Sequence, residues 1–207
     1  MIGIFGGTFD PVHYGHLRAI IEVREIFKLD EVRLLPNKTP PHRSEPSAMP
    51  KMRLDMLRLA TENLPGLVID TRELDRDGPS YMVDTLRSLC RDFPRRPLLL
   101  FIGVDAFNGL TSWHRWTELF DHAHIVVMTR PGYSIQLQSE FFRARQVFDA
   151  AELTRHKAGK LLFRPITELD ISASAIRKMI AEKRDPRFLL PDAVLDYIHS
   201  HHLYQKV

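Results

Sequence analysis

The sequence predicts an α/β fold: a doubly wound parallel sheet with helices on both faces and a small C-terminal helical extension. Three observations predict it. Short apolar runs alternate with amphipathic stretches along the 207 residues, and such alternation implies crossover connections between parallel strands. The run Leu98-Leu99-Leu100-Phe101-Ile102 is apolar throughout, as a strand covered on both faces must be. Beyond Arg164 the strand pattern stops and only helical patterns remain. A hydrophobic fraction of 44% and a charged fraction of 27% suit one compact domain, residues 1–207, whose helical portion spans about 171–207.

Each element follows from local pattern. Met1 to Phe5 is a buried strand, and a glycine-rich turn leads into a helix near 15–28 with Leu17, Ile20, Ile21 and Phe27 on one face. A strand at 31–36 runs into Asn37-Lys38-Thr39-Pro40-Pro41-His42-Arg43, a polar, proline-stiffened loop with three basic side chains. Helical patterns near 50–63, 82–92 and 113–120 interleave with strands at 67–70, 98–102, 124–128 and 160–164. Pro131-Gly132 breaks the chain, and residues 131–150 read as a variable loop or short helix. Ser172 or Ser174 caps a helix whose apolar positions are Ile176, Met179 and Ile180. The last helix starts around Pro191-Asp192 and carries Val194, Leu195 and Ile198. Ligands of such sheets bind beyond the strand carboxyl ends, at the topological switch point. The loops after Phe5, Pro36, Ile102 and Met128 are therefore the places for a site.

Composition narrows the function. A net charge of +3 gives no strong basic field for nucleic acid, while a pI near 9.1 leans towards anionic small molecules. One cysteine, Cys90, excludes an internal disulfide and suits a reducing cytoplasm. Leu86, Leu89 and Phe93 around it point to a helix-core thiol. The first residues already form a strand, leaving no room for a signal sequence. No apolar run approaches the ~20 residues that span a bilayer.

The chemistry concentrates in Gly6-Gly7-Thr8-Phe9-Asp10-Pro11-Val12-His13-Tyr14-Gly15-His16. Glycines at a strand end allow close backbone approach or positive φ. The start of the following helix offers N–H groups and a dipole to an anion, and His13 and His16 add donors beside it. This is a nucleotide-phosphate turn. It is neither G-x-G-x-x-G nor the phosphate loop ending in G-K-[ST]. The Ser172–Arg177 helix start can supply a second anion clamp, with Arg177 as an always-charged partner. Asp10, before a proline in a turn, reads as a structural acceptor rather than an acid. His201 and His202 are adjacent and cannot share a helix face, so the cluster with His199 reads as a solvated terminus, not a metal site.

G-G-T-F-D-P-V-H-Y-G-H resembles the signature of H-x-G-H nucleotidyltransferases, relatives of class I aminoacyl-tRNA synthetases, where the motif holds the ATP triphosphate. On that motif alone the acceptor stays open between a mononucleotide, a phosphopantetheine and another phosphorylated alcohol. Further segments resemble bacterial nicotinate mononucleotide adenylyltransferases: Pro36 to Arg43, Ser80-Tyr81-Met82-Val83-Asp84-Thr85-Leu86, Ile102-Gly103-Val104-Asp105 with Trp113, Arg130-Pro131-Gly132, and Ile171 to Arg177. They run in the family's order over nearly the whole chain. Met82 departs from the family's threonine, and Ser172-Ala173-Ser174 from its S-S-T.

The resemblance implies a Rossmann-like fold and transfer of the ATP adenylyl group to nicotinate mononucleotide. On ATP it implies Gly6, Gly7, Thr8, Phe9, His13, His16, Gly103, Asp105, Ile171, Ser174 and Arg177. His13, His16 and Arg177 would be the catalytic set. On the mononucleotide it implies Asn37, Lys38, His42, Tyr81, Val83, Thr85, Trp113, His114 and Arg130, with Trp113 stacking on the pyridine ring. A divalent cation, magnesium, would arrive with ATP, and no protein metal site is expected. Homo-oligomerisation stays open; no nucleic-acid or membrane partner is expected. Phosphopantetheine adenylyltransferase is the nearest rival, a synthetase fragment would need a K-M-S-K-S loop that is missing, and a non-catalytic nucleotide sensor would not need the His13, His16 and Arg177 set.

Overall fold

The computed structural model describes residues 1–38, 46–129, 139–167 and 169–205. Seven strands form one sheet: β1 (Ile2–Gly7), β2 (Glu31–Pro36), β3 (Leu67–Ile69), β4 (Leu98–Gly103), β5 (His124–Thr129), β6 (Gln146–Val147) and β7 (Leu161–Pro165). Their order is β3-β2-β1-β4-β5-β7-β6, and every pairing is parallel. From β1 the chain winds outwards through β2 and β3, then returns to lay β4 on β1's other side. The gap between the β1 and β4 carboxyl ends is thus the switch point, where ligands of such sheets bind.

Strand β4 shows why its sequence has no polar position. Leu99 and Phe101 pack on one face with residues of α1 (Tyr14–Ile26), α2 (Pro50–Thr61), α8 (Ala173–Ala181) and α9 (Asp192–Ser200). Leu98, Leu100 and Ile102 pack on the other with α3 (Met82–Asp92), α4 (Val104–Asn108) and α5 (Leu119–His122). Successive side chains point to opposite faces, so a strand covered twice must be apolar twice. The small helices α6 (Glu140–Arg143) and α7 (Glu152–Arg155) flank the edge strand β6.

Three local features depart from the sequence reading. The helix expected at 113–120 is broken into 3₁₀ turns at Leu110–Ser112 and Trp116–Glu118, followed by α5. Arg115 has φ 51°, a left-handed conformation no helix interior accepts. Helix α4 follows β4 without a loop, and β6 adds a two-residue edge strand, too short for periodicity to reveal. Within residues 131–150, the described part from 139 onward holds the short helix α6, one of the two forms expected there, and then β6. Among the described residues no helix is long and apolar enough to cross a membrane.

Candidate active site

The β1–α1 turn stands at the switch point. Parallel pairing of β1 with β2 aligns Gly7 with Pro36, and the Asn37 N–H donates to Gly7 O at 3.1 Å. That register sets Asn37 beside Thr8, and its amide nitrogen donates to Thr8 Oγ1 at 3.2 Å. The two residues were expected on opposite substrates; they lie side by side where the loops diverge.

Phe9 turns the chain with φ 50°, an uncommon conformation for a residue with a side chain. Its buried ring lies under Gly7, where an added Cβ would come within 2.8 Å of the ring. Phe9 therefore has only backbone to give a ligand. Asp10 is buried, and its carboxylate accepts from the N–H groups of Ser47 (2.8 Å) and Ala48 (3.2 Å) and from the Tyr204 hydroxyl (2.7 Å). Burial pushes the Tyr204 phenol well above its usual pKa, so it remains a donor. Asp10 is the structural acceptor that the sequence suggests.

His13 precedes α1, whose N-terminus no side chain caps. The His13 and His16 rings stack with centroids 3.8 Å apart, and Phe9 meets His16 edge-on at 5.2 Å. Gly15 makes the stack fit: a Cβ there would fall 2.9 Å from His13 Nδ1 and 3.2 Å from Ile171 O. Burial lowers the His13 pKa from 6.5 to about 4, and its buried Nδ1 has no hydrogen-bond partner among the described residues. At neutral pH His13 is therefore an uncharged imidazole, which can donate a hydrogen bond but brings no cation to a phosphate.

The Ile171 contact brings the second clamp to the first. Ser172 caps α8 by accepting from the Ala175 N–H at 3.2 Å, and its hydroxyl lies 3.2 Å from that of Ser174. One turn on, Arg177 donates to Asp10 O at 2.6 Å and keeps its Nη1 3.8 Å from the Asp10 carboxylate. Two helix N-termini, two stacked histidines and one arginine thus meet around the β1 turn. Gly103 and Asp105 sit at the end of β4 across the switch point; a Cβ on Gly103 would meet nothing within 4 Å, and Asp105 is exposed.

The other half is looser. Tyr81 precedes α3 and stacks on the exposed His114 with ring centroids 4.2 Å apart. Trp113 is half-buried against the α3-side core. Met82 packs against Gly6, where a Cβ would lie 2.9 Å from its terminal methyl, so this methionine and this glycine are a matched pair.

Three expected side-chain contacts differ from the observed arrangement. Val83 and Thr85 are fully buried, and the Thr85 hydroxyl donates to Glu73 at 2.7 Å while accepting from Arg76 at 3.2 Å. With Leu86 and Leu89 they make the buried side of α3, so their side chains hold the helix in place and leave only backbone for a ligand. Lys38 directs its ammonium to Arg76 O at 3.0 Å and sits 3.8 Å from Asp77, because the Lys38 N–H is pinned to the Ser80 hydroxyl at 3.0 Å. His42 and Arg130 lie outside the described residues. Among the described residues no group of three His, Cys, Asp or Glu side chains is placed to hold a metal ion.

Arg53 escaped the sequence reading. It is fully buried, and its guanidinium donates to Ala48 O, Thr8 O and Asn37 O at 3.2, 2.7 and 2.7 Å, with longer bonds to Asn37 Oδ1 (3.4 Å) and Lys38 O (3.3 Å). A signal was present: Arg53 falls on the α2 face that carries Met56, Leu57 and Ala60, three, four and seven positions on.

A glycine-rich turn and a helix start with two stacked histidines at the switch point of a parallel sheet make a nucleotidyltransferase-type arrangement, and residues 4–179 match the cytidylyltransferase-like family. The chain is 51% identical to a Methylococcus capsulatus protein over the whole of both chains. It is 47% identical to one from Pseudomonas aeruginosa, covering 99% of this chain and 97% of the relative. Both are named "probable nicotinate-nucleotide adenylyltransferase". The chain belongs to the nicotinate-nucleotide adenylyltransferase family. The fold agrees with a Plasmodium falciparum nicotinic acid mononucleotide adenylyltransferase complexed with NaAD: TM-score 0.74 at 19% identity, covering 98% and 96% of the two chains.

Proposed function

We propose that the protein transfers the adenylyl group of ATP to nicotinate mononucleotide, forming nicotinate adenine dinucleotide and pyrophosphate in NAD biosynthesis. The observation that carries this reading is the convergence of the α1 and α8 starts on the β1 turn, with the β2 loop fastened beside it. A phosphate oxygen of the mononucleotide attacks the ATP α-phosphorus in line, and the bond to pyrophosphate breaks. The nucleophile is already anionic, so the reaction needs no general base. Catalysis reduces to alignment and to stabilising the charge on the leaving pyrophosphate.

In this scheme the Gly6–Phe9 backbone, Thr8, His13 and His16 hold the triphosphate, and His16 sits nearest the developing charge. Ser174 and Arg177 hold the β- and γ-phosphates from the C-terminal side; to reach them, Arg177 exchanges or shares its bond to Asp10 O. Gly103 and Asp105 take the ribose. Trp113, Tyr81, His114 and Arg130 surround the pyridine and its carboxylate. Magnesium enters as part of the ATP complex, held by phosphates and water, and the reaction runs in the cytoplasm.

A product assay tests the reading: ATP with nicotinate mononucleotide, nicotinamide mononucleotide and phosphopantetheine in parallel. The acid should be favoured over the amide by roughly ten- to several hundred-fold in kcat/KM. An amide NH₂ facing donors leaves unpaired polar groups, which cost about 1–3 kcal/mol each. Transfer to phosphopantetheine, or equal use of both mononucleotides, would overturn it.

A further inference from the structure

We infer that Arg53 is a positioning residue for the transfer step, one that sets the spacing between the two substrate half-sites. The inference rests on the functional reading above, which puts ATP on the Thr8 turn and the mononucleotide beside Asn37 and Lys38. The β1–β2 ladder ends at the bond from Asn37 N–H to Gly7 O. Past that point no further backbone bond joins the two segments among the described residues. Arg53 takes up the carbonyls of Thr8, Asn37 and Lys38 together, while its Nε holds Ala48 O.

A planar fork of five donors can span two loops in a fixed geometry, whereas an ammonium cannot. The guanidinium has no accessible surface, so it touches neither solvent nor substrate. Asp10 provides a neighbouring counter-charge, and the same carboxylate holds Ser47 and Ala48 at the entry to α2. Stabilising α2 alone would require only the Ala48 bond; the other bonds all go to the two half-sites. When the chemistry is alignment of a phosphate oxygen with a phosphorus, a shift of about 1 Å between half-sites can cost roughly a hundredfold in rate without weakening either substrate.

The test compares Arg53→Lys and Arg53→Met with the unmutated protein in three measurements: folding by circular dichroism, separate equilibrium binding of ATP and of nicotinate mononucleotide, and kcat. Arg53→Lys should fold, bind each substrate within about threefold of the unmutated protein, and lose about tenfold or more in kcat. Arg53→Met, if folded, should lose about a hundredfold. Unchanged kcat in folded Arg53→Lys overturns the inference. So does a loss in binding that accounts for the whole loss in kcat/KM, or an Arg53→Lys chain that does not fold, since Arg53 would then serve general stability. The unmutated protein is the separate control on the functional reading: if it forms no dinucleotide, that reading fails before either variant is compared.

Discussion

The triphosphate half and the pyridine half of the site are built by different means. Around the β1 turn, Phe9, Asp10 and His13 are buried and each is braced by a neighbour: Phe9 under Gly7, His13 against Gly15 and the half-buried His16, Asp10 between Tyr204 and Arg177. Around Tyr81 and His114, rings stack at the surface, and Trp113 is half-buried against the core. In the proposed reaction the triphosphate half faces the place where charge develops, so its donors have to be in position beforehand. In the same proposal the other half selects an aromatic ring, for which contact area matters more than donor position. Catalytic rate should therefore depend on the first region and substrate choice on the second.

Breaking the triphosphate half at His16 should have the largest effect. His16→Ala is expected to lower kcat by about a hundred- to a thousand-fold, the cost of one transition-state donor. Steady-state kinetics on the folded variant decide it, and retention of most activity would remove His16 from the chemistry.

His13 sharpens the comparison through pH. Its buried ring titrates near 4 against 6.5 when exposed, so between those values the unfolded chain binds a proton that the folded one refuses. Its neutral form leaves stability intact above about pH 6.5. As pH falls towards 4, up to about 3 kcal/mol is lost. In His13→Asn that loss should vanish, so the stability difference between the two proteins should change between pH 7 and pH 4.5 in urea titrations. A difference that stays constant over that range would mean the ring is not held neutral.

Two smaller effects should separate the halves directly. Arg177→Ala should weaken ATP by about tenfold or more, as loss of a hydrogen bond to a charged group does, and leave mononucleotide binding near its original value. Trp113→Ala should do the reverse, raising the mononucleotide Kd by roughly two- to tenfold with ATP unaffected. Calorimetric titration of each ligand measures both, and a swapped pattern would exchange the half-sites.

How much of this was legible in the sequence depended on whether the signal was local. The six longer strands and the helices after β1, β2 and β3 announce themselves by periodicity, and the Asp10 turn and Ser172 cap by residue type. The helix expected at 113–120 failed because nothing local marks Arg115 as left-handed. The motif puts Thr85 in the mononucleotide set, but nothing local shows that its hydroxyl is committed to Glu73, a buried carboxylate twelve residues earlier whose pKa burial raises. Lys38 carried the right charge for a phosphate, and its direction was decided by Ser80 and Arg76.

By itself, the sequence determined the doubly wound sheet, the switch-point turn and the family's motif order. Each depends on neighbours within a few residues: alternation of apolar runs, glycine beside histidine, serine before a helix. Only the tertiary structure decided that Ile171 O closes on Gly15, that Tyr204 bonds Asp10 across 194 positions, and that Arg53 ties Thr8 to Asn37. Those contacts arise when the sheet and its helices close, because a buried polar group must find its partner wherever the fold brings one within about 3 Å.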